Sequence, residues 1–171
     1  MARDGDGKIK MTKWHLASGN ELSVSYDSER DRILYAELDW DFKPNSVDCG
    51  IAGLRFGEST LAHIRKKFDS NGFSYSEHMM FMTDNGLVTF NAFELKRTPS
   101  IVVVFVSLLK NATSLGQQSS EKQLSDEVGK LFQLVAVVVS DEGYLDEIWG
   151  SKKIYDPTST PIKLESQSVD A

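Results

Sequence analysis

Residues 101 to 109 read "IVVVFVSLL", an uninterrupted apolar run rich in β-branched residues, and "LVAVVV" follows at 134 to 139. Neither run approaches the roughly 20 residues needed to cross a bilayer as a helix. β-branched side chains are stiff at χ1 and pack well on a pleated surface, so both runs read as core strands, the first buried on both faces or nearly so. A chain carrying such strands must supply a sheet around them. At 171 residues it is long enough to bury a core without disulfide or metal staples.

The rest of the sequence supplies that sheet. "ELSVSYD" at 21 to 27 alternates Leu22, Val24 and Tyr26 against Ser23 and Ser25, the pattern of a half-buried strand. Turn clusters at 17 to 21 and 27 to 31 flank it, and "RILYAELDW" is its hairpin partner. Pro44, Asn45 and Gly50 then break the pattern into a loop. A helix over about 59 to 69 follows, capped by Ser59 or Thr60, with Leu61, Ile64 and Phe68 on one face and Arg65, Lys66 and Lys67 facing solvent in the last turn. Asn71-Gly72 ends it. Asn85-Gly86, between two β-type runs, predicts a hairpin with a type I′ turn. "HMMFM" at 78 to 82 is apolar at consecutive positions, which implies burial beneath the helix ahead of an exposed patch. A second short helix is expected over about 120 to 131 through Leu124, Val128 and Leu131, and "YLDEIWGSKKI" reads as a last strand. The fold expected is α+β: an antiparallel sheet of about seven or eight strands with one main helix and the second packed on it. Residues 1 to 10 are expected to be a flexible N-terminus, 11 to 155 a single domain, and 156 to 171 a poorly packed tail. "ELSVSYDSERDRILYAELDW" and "FQLVAVVVSDEGYLDEIWGS" share a plan, which reads more simply as two exposed hairpins than as a duplication.

Composition narrows the chemistry. The net charge is −6 and no basic block exceeds "RKK" at 65 to 67, a poor match to a phosphate-tracking surface, so nucleic acid is not expected as a partner. One cysteine, Cys49, excludes an intrachain disulfide and a thiolate metal cluster. "DGDGKI" at 4 to 9 resembles half of a calcium loop, but the outer ligand positions fall on Ala2 and Lys13, so a solvated turn is expected. The three histidines, 15, 63 and 78, are too dispersed to suggest a metal site, and neither metal nor cofactor is expected. No serine elbow is present, and no local signature surrounds Cys49. "NAT" at 111 to 113 matches a glycosylation acceptor, which matters only in a eukaryotic secretory route. No apolar leader core precedes the domain, which implies a cytoplasmic protein if the chain is whole, and a periplasmic or secreted one if a leader has been removed.

Asp39 and Asp41 flank Trp40, and Asp141, Glu142, Asp146 and Glu147 form a second acidic patch, both expected to be solvated rather than acid-base pairs. Ile51, Gly57, Ser59, Thr60, Ile64, Phe68, Gly143, Leu145 and Ile148 follow an order that resembles the fold of the beta-lactamase inhibitory proteins and the small outer-membrane assembly lipoproteins. "FDSNG" departs from the helix ending of that pattern, and no lipid-attachment cysteine precedes the domain. The resemblance implies a binding module without a catalytic site. The expected function is therefore a non-enzymatic, bacterial protein-binding module, inhibitor or immunity-like, contacting another protein through Asp39, Trp40, Asp41, Phe42, Tyr144 and Trp149 and the loops at 41 to 49 and 141 to 150, with a homodimer compatible. The alternative is a small enzyme or ligand carrier with a cavity between sheet and helix, and Cys49, His63 and His78 at its mouth.

Overall fold

A computed structural model describes residues 8–95, 100–110 and 126–155. Residues 4 to 7 of the N-terminal turn, the acceptor triplet at 111 to 113, residues 120 to 125 of the expected second helix and the tail lie outside the described residues. Among them the fold is α+β, with a nine-stranded, wholly antiparallel sheet. Its strands are β1 (Ile9–His15), β2 (Glu21–Asp27), β3 (Arg32–Asp39), β4 (Phe73–Tyr75), β5 (Met80–Thr83), β6 (Gly86–Leu95), β7 (Ile101–Leu109), β8 (Gln133–Asp141) and β9 (Lys153–Tyr155). The helices are α1 (Leu61–Phe68), α2 (Asp126–Gly129) and α3 (Glu142–Trp149).

The strands run in the order β1-β2-β3-β8-β7-β6-β4-β9, with β5 on β6. Thus β8 returns from far along the chain to lie between β3 and β7. β7 is central and covered on both sides, as its β-branched run predicts: Val102, Val104 and Val106 join one core cluster with Tyr144 and Leu145 of α3, while Val103 and Phe105 join another with Ile64 of α1. Successive strand residues point to opposite faces, so one helix covers each face of the sheet. The described end of the expected second helix, α2, lies against α1, with Gly129 beside Ala62; the helix on the opposite face, α3, comes from a segment expected to be a strand.

Thr60 caps α1 by accepting from His63 N at 3.1 Å, and Leu61 and Ile64 are buried as expected. Arg65 is not solvent-facing: it is buried and its Nε donates to Asn91 Oδ1 at 3.3 Å. Asp69, rather than Asn71-Gly72, takes the left-handed conformation that ends the helix, at φ 48. The hairpin at 83 to 86 forms, yet Thr83 pairs with Gly86 and only Gly86 has positive φ, so the two-residue connection is Asp84-Asn85 and not a type I′ Asn-Gly turn. In "HMMFM", Met79 is buried while Phe81 and Met82 are exposed on β5.

The largest correction concerns residues 142 to 149, which form α3 rather than a strand. Asp141 Oδ1 accepts from Tyr144 N at 3.1 Å, Glu142 stands in the first turn, and Tyr144 and Leu145 fill the core below. Only Lys153–Tyr155 continues as a strand. The two look-alike segments therefore diverge, one into a hairpin and the other into a strand followed by a helix.

Candidate interaction site

β3 leaves the sheet at Asp39, but Trp40 stays attached, its N–H donating to Val135 O at 3.0 Å. The indole stacks on Phe56 at 6.3 Å and meets Phe42 at 4.9 Å, and its Nε1 donates to Lys43 O at 3.1 Å. Gly57, at φ 72, lies directly beneath it: a Cβ there would sit 2.4 Å from the ring. Between the two aromatics, Asp41 organises the turn. Its carboxylate accepts from Lys43 N at 3.0 Å and from the Ser46 hydroxyl, which hold it below the usual carboxylate range, the serine contributing most. Asn20, buried beside it, accepts from Asp41 N at 3.0 Å and donates to Ser46 O at 2.8 Å, tying the loop back to the β1–β2 connection.

This framework leaves Phe42 at φ 63 and 43% exposed. A left-handed conformation is costly for a bulky L-residue, of order 1–3 kcal/mol, and persists only where its surroundings over-determine it. Lys110 Nζ stands 5.9 Å from the ring centroid. An aromatic ring held out from a pinned loop is pre-organised contact area, with little left to order upon docking.

The other expected partner residues do not gather here. Asp39 lies one residue before Trp40, so its side chain is on the opposite face, beside Glu37 two residues earlier. Burial, followed by the Glu37 charge and hydrogen bonding to Glu37, pushes the Asp39 carboxyl up to about 7. Tyr35, also on that face, donates its hydroxyl to Glu37, and burial, then the Glu37 charge, raises the phenol far above its ordinary value. Tyr144 is buried edge-on against Tyr35 at 6.2 Å. Trp149, at the end of α3, stacks face to face on His78 at 4.1 Å, with Phe90 and Tyr75 edge-on to the indole at 5.7 Å. Burial among these rings lowers the His78 imidazole to about 4, which keeps it neutral.

Cys49, His63 and His78 are not brought together. Cys49 is buried in the α1-side cluster, its thiol pointing to Leu54 O at 3.3 Å and pushed up by burial; His63 is exposed on α1; His78 packs with Trp149 on the α3 side. Among the described residues no three His, Cys, Asp or Glu side chains are placed to hold a metal, and no helix is long and apolar enough to cross a membrane. Sequence reading missed the His78–Trp149 stack, because 71 positions separate its members and no periodicity joins them. No protein-family model, no curated protein and no solved structure matches the chain.

Proposed function

We propose that this protein is a non-enzymatic interaction module whose partner, another protein, docks on the Trp40–Phe42 loop. The carrying observation is Phe42 itself: exposed, left-handed, and buttressed by Trp40 and the Asn20–Asp41–Ser46 network. For folding, the contact with Trp40 does no more than roughly offset the cost of that conformation, whereas a partner's pocket gains a rigid aromatic anchor, a residue class enriched at interface cores. Asp41 and Lys43 add a polar rim around the ring. A bacterial inhibitor or immunity role is the form of this reading that suits an acidic surface. The alternative, an enzyme or carrier built around Cys49, His63 and His78, draws no support from groups that sit apart.

The test uses Phe42→Asn, because asparagine tolerates the left-handed region and keeps the loop. Immobilised wild type is expected to retain a specific bacterial protein in stoichiometric amount, and the variant to lose it by about tenfold or more, the range for a central aromatic anchor. Equal retention by both proteins sinks the proposal.

A further inference from the structure

We infer that β1 is a homodimerisation edge, pairing antiparallel with β1 of a second copy about a two-fold axis at Thr12. The two ends of the sheet differ. β9 is three residues long and β5 four, the short edges by which proteins avoid unwanted pairing, whereas β1 presents seven residues, all exposed. Its pairing with β2 runs from Ile9 opposite Asp27 to His15 opposite Glu21 without a bulge, and it contains no proline.

The hydrogen bonds of its ends fix which groups are free. Ser28 N donates to Lys8 O at 2.9 Å and Leu16 N to Asn20 O at 2.8 Å, so the even-numbered residues direct their main chain at β2. Ile9, Met11, Lys13 and His15 therefore direct N–H and C=O outward. A two-fold centred on Thr12 pairs Met11 with Lys13 and Ile9 with His15 of the second copy, which uses every outward group. On the other face it sets Lys10 against Trp14.

The side chains suit that register. Lys8 and Lys13 are already answered by Glu29 at 3.1 Å and Glu21 at 2.8 Å, so they do not guard the edge with unpaired charge. Lys10 has no carboxylate partner among the described residues, and in the dimer it lies across from an indole, a cation–π arrangement. Met11, at 58% exposed, and Trp14, at 46%, gain cover. No two like charges are directly opposed.

Thr12→Cys tests the register. Cysteines at a non-hydrogen-bonded antiparallel pair fall within disulfide reach, so mild oxidation is expected to give a covalent dimer quickly. Lys10→Cys is expected to link far more slowly, because the symmetry places those thiols four positions apart, and wild type, with its buried Cys49, is the blank. Adding Met11→Pro, which removes only an outward N–H, is expected to abolish linkage with the circular dichroism unchanged. Thr12→Cys linking no faster than Lys10→Cys, or staying monomeric while pairing with some other extended segment, overturns the inference.

Discussion

At Phe42 two contributions of similar size oppose one another. Releasing the left-handed strain gives back about 1–3 kcal/mol, while losing the contact with Trp40 gives up about 0.5–1.5 kcal/mol. Phe42→Asn is therefore expected to leave the thermal midpoint unchanged or raised by a few degrees, which differential scanning calorimetry will read; a marked drop means that Phe42 serves the fold. Two half-buried ionisable groups, His78 and Asp39, give opposite pH signatures. His78 is lowered to about 4 by burial, so between pH 6.5 and 4 the unfolded chain binds a proton that the folded one refuses. Its contribution is intact above 6.5 and is lost as pH falls through that window. Asp39 is raised to about 7, so from pH 3.8 to 7 the folded chain holds a proton that the unfolded one has released, and stability declines as pH rises. Asp39→Asn is expected to stabilise relative to wild type at pH 8 and to give no such gain at pH 4, whereas His78→Phe lifts stability only on the acid side. Urea titrations at the two pH values separate the two, and a gain from Asp39→Asn that is independent of pH contradicts the assignment.

Single elements differ in how openly their sequences declare them. β7 was legible because five β-branched residues in nine have no good alternative to a central strand. α1 was legible from Thr60 and the Leu61–Ile64 spacing, although the fate of Arg65 was not, since Asn91 waits for it 26 positions away. α3 was misread with its signal present: Asp141 as cap, Glu142 in the first turn, and Tyr144, Leu145 and Ile148 on one side. The acid-Gly cluster looked like a hairpin turn, and only the sheet beneath decides between the two. β2 misleads differently, because Ser23, Ser25 and Asp27 are its buried residues and the apolar set is half-buried. Each serine is flanked across the sheet by longer residues, Ser23 by Lys13 and Glu37 and Ser25 by Met11 and Tyr35, which no single-strand pattern conveys. The site was legible as a pair of aromatics near a turn; the φ of Phe42 was not, because the preceding residue, Asp41, is tied down by Asn20, 21 positions before it. Removing the α3 cap tests that element. Asp141→Ala is expected to cost about 1–2 kcal/mol, with a further loss from the Arg32 contact at 3.5 Å, measured by urea unfolding, and no change in midpoint denies Asp141 the capping role.

For the whole molecule, the two layers share the strands that separate them. Alternate residues of β7 and β8 belong to different core clusters: Val104, Val138 and Ala136 with α3, Phe105, Val137 and Leu134 with α1. Stripping either helix exposes one face of both strands to water, so neither layer gains enough by remaining folded alone. β3 is fastened to β8 by Ser140 Oγ donating to Leu34 O at 2.9 Å, across 106 positions, which makes the hairpin set part of the same unit and the closing contacts highly non-local. Folding should be cooperative and slow to nucleate. The tryptophans supply independent reporters, Trp40 against the α1-side cluster and Trp149 against the α3-side one. In a Trp14→Phe background, single-tryptophan proteins keeping only Trp40 or only Trp149 are expected to give coincident urea transitions. Phe105→Ala, cut on the α1 side, is expected to shift both by the same 3–5 kcal/mol or so typical of an emptied phenylalanine site. If the Trp149 transition stays in place while the Trp40 transition moves, the sheet is not a shared wall, and the two faces are separate folding units.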